Sequence, residues 1–351
     1  MRDDLIVCRP EGLYCVPGGF YIDPWRPVAR AVVTHAHADH ARAGHSHYLA
    51  AADGRHILTA RLGDISLQTL AWGERLRLGD AVISLHPAGH ILGSAQVRIE
   101  RAGEVWVVSG DYKLEADPTC APFEPVRCDT FITESTFGLP VYRWQADHEC
   151  MREIARWWQD NAERGRASVL LCYALGKAQR VLAGLAQAQA ISGPIVCHGA
   201  TQTLNAAYAE SGVILPPTSD AQSWRRGHHQ AAEGLGGARD APLVLAPPSA
   251  AGTPWMARFG EASIGFASGW MRVRGARRRR AVDRGFVLSD HADWPGLLRA
   301  ISATGASRVI VTHGVESAIV RHLLQCGIEA HALRTEFGDE EGADMQTPQN
   351  S

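Results

Sequence analysis

Four metal-competent side chains, His35, His37, Asp39 and His40, are packed into the short stretch Thr34-His35-Ala36-His37-Ala38-Asp39-His40. They directly follow Arg30-Ala31-Val32-Val33, an apolar run that reads as a buried strand. In extended backbone His35 and His37 point the same way, because side chains alternate with period two. If the chain turns into a helix at Asp39, that carboxylate and His40 swing toward a neighbouring point. The pattern points to two adjacent metal ions, one bound by nitrogen alone and the other by mixed nitrogen and carboxylate. The competing reading is a His-rich surface turn, in a chain with 16 His among 351 residues. A solvated turn has no need of an apolar strand to deliver it, so the metal reading is preferred.

A chain of this length exceeds what one compact domain usually holds, so two domains, or one domain with a large insertion, are expected. A formal net charge of −2 gives no global attraction to nucleic acid, and any polyanion site must come from local patches. The eight cysteines are scattered without a CxxC pair, which argues against a zinc ribbon and against a disulfide scaffold and suits a reducing cytoplasm. Met1-Arg2-Asp3-Asp4 leads into no long apolar segment, and no run approaches the length needed to cross a bilayer. A cytoplasmic protein with no membrane partner is expected.

Residues 5–33 read as short strands punctuated by Gly and Pro. Asp23, before Pro24, has two readings: a turn-starting residue, or a carboxylate standing behind the histidine loop and orienting it. Ile65–Leu70 is compatible with a helix, and Leu76 to Leu85 is strand-rich. His90, in Pro87-Ala88-Gly89-His90, is either a structural loop residue or a third imidazole ligand, and the alternating segment before it favours the ligand. Val105–Val108 is a strand ending in Gly110-Asp111, which places a carboxylate well for bridging two cations. Phe131-Ile132-Thr133 delivers Glu134, although Ser135 or Thr136 could instead cap a following helix.

From about Tyr142 the pattern changes to strands alternating with helices, which implies a three-layer α/β unit with a parallel sheet. Thr218 to Asp240 reads as a surface excursion. Gly269 to Arg280 carries the strongest charge run, either a solvated face or a rim for phosphates. Two further strands, Phe286–Leu288 and Val309–Thr312, each deliver a histidine, His291 and His313. Residues after Glu336 read as a polar, acidic tail.

Taken together, His35-x-His37-x-Asp39-His40, His90, Asp111, Glu134, His291 and His313 resemble, in order, the motifs of the metallo-β-lactamase-fold nucleases of the β-CASP group. The resemblance spans nearly the whole chain. It implies an α/β fold: an αββα metallo-β-lactamase sandwich, residues 1–140 and 285–337, with an inserted three-layer α/β β-CASP domain at 141–284 and a tail at 338–351. Gly12-Leu13-Tyr14-Cys15, Phe20 to Pro27 and Thr34 to Arg42 look most like the bacterial ligase-associated DNA exonucleases, a family also described as putative mRNA 3′-end processing factors.

The resemblance implies one metal held by His35, His37, His90 and Asp111, and a second held by Asp39, His40, His313 and the shared Asp111. Zn²⁺ is favoured by imidazole and carboxylate ligands, with Mn²⁺ an alternative. It further implies that Asp39, Glu134 and His291 are catalytic, with His291 protonating the leaving oxygen and Glu134 orienting its imidazole. DNA is the expected substrate in repair, with a DNA ligase or helicase as associated partner. RNA ranks close behind, because RNA-cleaving members carry histidine at the position of His313. Lys177, at a helix start, and Arg274, Arg277 and Arg278 are candidate phosphate contacts in a cleft between the domains. Lys177 could equally be an exposed helix residue. Two rival readings stand beside this one: a small-molecule hydrolase of the same fold, which leaves the insertion, Glu134 and His291 without roles, and an inactive scaffold subunit, which would have lost ligands.

Overall fold

A computed structural model describes residues 4–224, 241–273, 275 and 282–335. The chain divides into two compact units, Met1–Arg143 with Asp290–Ser351, and Trp144–Ser289.

The first unit opens with β1 (Ile6–Arg9), β2 (Gly12–Cys15), β3 (Phe20–Ile22), β4 (Arg30–Val32), β5 (His47–Ala51), helix α1 (Arg55–Leu62) and β6 (Leu67–Leu70). These six strands form one sheet in sequence order, antiparallel up to β3 and parallel from β3 onward. The sequence suggested a helix at Ile65–Leu70; the structure has a strand there instead, paired in parallel with β5, and the helix lies earlier at α1. A second sheet begins with β7 (Leu76–Leu78), β8 (Ala81–Pro87), β9 (Ala95–Arg101), β10 (Glu104–Val108) and β11 (Thr130–Ser135).

The second unit then supplies α2 (Asp147–Glu163), β12 (Ala167–Leu171), α3 (Lys177–Gln187), β13 (Ile195–Cys197), α4 (Gly199–Glu210), β14 (Ser219–Asp220), β15 (Leu243–Ala246), β16 (Ala262–Ala267) and β17 (Arg284–Phe286). Its sheet runs β14-β13-β15-β12-β16-β17, and every pairing is parallel. The chain returns to the first unit through α5 (Trp294–Thr304), β18 (Arg308–Gly314), α6 (Glu316–Gln325) and β19 (Glu329–Ala332), and β18 pairs with β11 and β19. Among the described residues the fold is therefore mixed α/β with three sheets.

The alternation of side chains explains how the second sheet is covered on both faces. Trp106, Val108, Ile132 and Ile310 join Phe20, Ile22 and Val32 of the first sheet in one buried cluster. The residues between them, Val107, Phe131, Val309 and Val311, pack with Leu297 and Ile301 of α5 and Ile319 and Leu323 of α6. A strand buried on both faces must be apolar throughout, which is why these strands read as continuous hydrophobic runs. Because β10, β11 and β18 are mutually parallel, their carboxyl ends fall on one edge. No described helix is long and apolar enough to cross a membrane.

The tail at 338–351, Arg274, Arg277, Arg278 and most of the Thr218–Asp240 excursion lie outside the described residues.

In the second unit Trp158 is fully buried among α2, α3 and the parallel sheet, and its indole N–H donates to the Ala241 carbonyl at 3.0 Å. Trp158→Ala is expected to cost about 3–5 kcal/mol, read as a lowered urea midpoint. A loss below about 1 kcal/mol would mean the site collapses to fill the hole.

Candidate metal centre

Every predicted metal residue sits at or just beyond a strand end. β4 delivers His35 and His37, β10 delivers Asp111, β18 delivers His313, and His90 lies in the loop between β8 and β9. After His37 the chain makes a turn, with the amides of His40 and Ala41 both donating to the His37 carbonyl at 3.2 and 2.8 Å. It does not enter the helix that the sequence left open at Asp39, and the turn alone brings Asp39 and His40 around.

Two groups of ligand atoms result. His35, His37, His90 and Asp111 form one, and Asp39, His40 and His313 form another, each with its ligand atoms within 4.8 Å of one another. Asp111 joins them. Its Oδ2 lies 3.5 Å from His35 Nε2, 3.4 Å from His40 Nε2 and 3.9 Å from His90 Nε2, and its Oδ1 lies 3.4 Å from His313 Nδ1. A tetrahedral cation bound at about 2.0–2.1 Å separates its ligands by about 3.4 Å. These separations are longer than ordinary N–H···O bonds. Nε2 of His35 is buried with no hydrogen-bond partner among the described residues, which a cation would remedy. The residues fit a pair of divalent cations.

The supporting contacts fix ring orientation. Asp23 Oδ2 faces His40 Nδ1 at 2.7 Å, and its Oδ1 accepts the amide of Thr34 at 2.7 Å. The Thr34 hydroxyl donates to the same carboxylate, so Asp23 both turns His40 and ties down the residue before His35. Asp23 does this with φ of 43°, and His313 has φ of 56°. A side chain rarely occupies that left-handed region, and such residues concentrate at functional sites. His90 Nδ1 donates to the Asp290 carbonyl at 2.8 Å, which leaves its Nε2 lone pair toward the cluster.

Burial pushes the His35 and His90 imidazoles well below the ordinary histidine range, toward the neutral form that can ligate. Burial acts the same way on His40, but Asp111, Asp39 and Asp23 outweigh it and hold His40 well above that range. Burial opposes ionisation of Asp111, yet His40 and His313 hold its carboxyl well below the usual carboxylate range. Cations entering the second group would therefore displace protons.

A third cluster, Asp111, Glu134 and His291, adjoins the first two. His291 Nδ1 lies 3.0 Å from each Glu134 oxygen. Glu134 is itself held by the amides of Tyr112 and Thr136, at 2.8 and 3.3 Å. No helix starts after Ser135 or Thr136, so the capping alternative is overturned; Ser135 instead donates to the His313 carbonyl at 2.9 Å.

Lys177 opens α3 in the second unit, but its side chain is buried rather than exposed, with the ammonium 4.9 Å from the centre of the Tyr173 ring. Sequence reasoning gave no role to Thr34, Lys113 or Asp290. Gly110, read in the sequence as the glycine that presents Asp111, has φ of 55°, and a Cβ there would come within 2.7 Å of the Thr34 Cβ. Lys113 gave no signal, because lysine is so seldom buried, yet here it is 1% exposed.

No protein-family model matches the chain. It is 31% identical over 327 residues to a protein of Opitutus terrae named probable DNA ligase, covering 92% of this chain and 30% of that protein. It is 34% identical over 118 residues to endoribonuclease YSH1 of Saccharomyces cerevisiae, and 33% identical over 118 residues to cleavage and polyadenylation specificity factor 73 of Drosophila melanogaster. These cover 33% of this chain in both cases, and 15% and 17% of the relatives. The chain thus spans less than a third of the length of these relatives. A crystal structure of an Enterococcus faecalis protein of unknown function shares the fold, with a TM-score of 0.57, 12% identity, and coverage of 88% of this chain and 80% of that one.

Asp23→Asn keeps the shape of the side chain but weakens its hold on His40. It is expected to lower divalent-metal affinity about 10–100-fold, measured by competition with a chromophoric chelator. Unchanged affinity would leave Asp23 as a turn residue only.

Proposed function

We propose, for a chain that belongs to the β-CASP group of the metallo-β-lactamase family, metal-dependent hydrolysis of nucleic-acid phosphodiester bonds. The observation that carries this reading is one buried carboxylate, Asp111, which belongs to the first ligand group, lies 3.4 Å from His40 and from His313 of the second, and is bordered by a His291–Glu134 pair. His35, His37, His90 and Asp111 would hold one ion, and Asp39, His40, His313 and Asp111 the other. Zn²⁺ suits that donor set best, with Mn²⁺ an alternative. When bound, such a pair supplies an activated water near neutral pH and positive charge against the phosphoryl oxygens.

The chain's own residues do the rest. Asp23 and Thr34 hold the histidine loop in its ligating orientation. Glu134 accepts from Nδ1 of His291, and in this reading the other ring nitrogen faces the substrate. There it protonates the leaving 3′-oxygen, while the nearby carboxylate favours the charged imidazolium. In this reading Asp39 is essential through its ligation.

DNA is the preferred substrate, as an exonuclease acting in repair beside a ligase, supported by a similarity over 92% of the chain to a protein named for DNA ligation. RNA is the second reading, supported by the endoribonuclease relatives and by His313 itself. The reading extends to an αββα sandwich at 1–140 and 285–337, an inserted β-CASP domain at 141–284, a cytoplasmic setting, and phosphate contacts from Lys177, Arg274, Arg277 and Arg278.

The test is digestion of matched, end-labelled single-stranded DNA and RNA with Zn²⁺ or Mn²⁺, beside Asp39→Ala and His291→Ala. Stepwise shortening of DNA is expected, absent in Asp39→Ala together with loss of metal. His291→Ala should keep its metal and lose about 10²–10⁴-fold in turnover. Loss of metal from His291→Ala, by elemental analysis, would make it a ligand. Cleavage of RNA alone would move the assignment to RNA, and cleavage of neither by the metal-loaded protein would overturn it.

A further inference from the structure

We propose that Arg180 is a positioning residue for His291, acting from the second unit through the backbone of Ser289. The proposal rests on the reading of His291 as proton donor.

Arg180 lies in the first turns of α3 and is 1% exposed. One terminal nitrogen of its guanidinium donates to the Ser289 carbonyl and the other to the Asp147 carboxylate. Asp147 opens α2, just after the chain enters the second unit at Trp144, and Ser289 is the last residue before it leaves. One guanidinium thus holds the chain beside both crossings. Its donors are fixed in a planar fork, so two acceptors determine its orientation and it in turn determines theirs.

The four residues starting at Ser289 are each held by a different group. Arg180 binds the Ser289 carbonyl, and His90 donates to the Asp290 carbonyl at 2.8 Å. Glu134 holds the His291 ring at 3.0 Å, and the Ala292 amide donates to the Tyr112 carbonyl at 2.7 Å. His90 is a candidate ligand, Glu134 borders the metal centre and Tyr112 follows Asp111, while Arg180 fixes the remaining end. Burying a guanidinium costs several kcal/mol before its partners compensate. An apolar pair would tie α2 to α3 at lower cost, but it could not capture a carbonyl. With Ser289 released, His291 keeps Glu134 but loses the fixed backbone that sets its approach. A misplacement of about 1 Å is worth about 10²-fold in rate.

The test uses the full-length, metal-loaded chain carrying Arg180→Met, Arg180→Lys or Asp147→Asn, each alone and combined with His291→Ala. Asp147 is 29% exposed at its side chain, so Asp147→Asn keeps the test open if the arginine variants do not fold. On an end-labelled oligonucleotide each single variant is expected to lose about 10–100-fold in kcat, with KM and metal content unchanged and the loss smallest for Arg180→Lys. In the His291→Ala background the same changes should cost nothing further, because groups acting through one residue are not additive. Deuterium exchange at the Asp290 and Ala292 amides should rise while β12 stays protected. Equal fold-losses in both backgrounds, or unchanged exchange at 290–292, would overturn the proposal. If His291→Ala keeps wild-type turnover, the proton-donor reading falls, and exchange alone then decides whether Arg180 positions this segment.

Discussion

Asp111 is 3% exposed, and its two oxygens stand 3.4–3.9 Å from nitrogens of His35, His40, His90 and His313. A carboxylate taken out of water at this depth is tolerated only beside compensating positive charge. The surrounding histidines are sorted accordingly. At His40 and His313 the nearby carboxylates outweigh burial and hold the ring in the protonated direction, whereas at His35 and His90 burial, helped by neighbouring imidazoles, prevails and holds it in the neutral one. The same carboxylate therefore bears on both the charge state of its neighbours and the spacing at which they can share cations. Asp23, Thr34 and Glu134 do not touch that carboxylate's role directly, but each fixes a ring that faces it.

The sheet explains why such a centre can be assembled from distant sequence. Strands β10, β11 and β18 run parallel and in register, Val108 beside Ile132 and Ile132 beside Ile310. Residues at or just beyond their carboxyl ends, Asp111, Glu134 and His313, consequently arrive together although they are far apart along the chain. The strands are rigid because both faces are buried, and the polar residues begin only where burial against apolar neighbours ends. Positive φ at Asp23 and His313 marks where the backbone departs from regular geometry to bring a side chain inward.

What could be read in advance follows from which forces are local. The histidine loop, the glycine before Asp111 and the strand-then-polar pattern at Glu134 and His313 are written within a few residues each. So is the alternation of strand and helix that becomes the parallel sheet of the second unit. The segment Leu67–Leu70 was misjudged because its pairing with β5 decides its state, and short apolar periodicity does not separate helix from strand. Lys113 and Arg180 escaped notice for a related reason: long cationic side chains ordinarily face water, and only tertiary partners reveal that these two do not. The capping role considered for Ser135 failed because its hydroxyl found the carbonyl of His313 instead.

The pairing of β11 with β18 has a consequence for synthesis in the cell. Thr130 pairs with Arg308, so the inner edge of β11 has no partner until synthesis has reached Arg308. At about 5–20 residues per second that interval lasts roughly 10–35 s. Throughout it a strand whose every residue is buried in the finished protein exposes open hydrogen-bonding groups and apolar side chains. The residues emerging meanwhile are those of the second unit, which has its own core and needs nothing from β18 to form it. The nascent chain thus carries a folded middle and an unfinished beginning, and its demand on chaperones is set by how late Arg308–Gly314 appears.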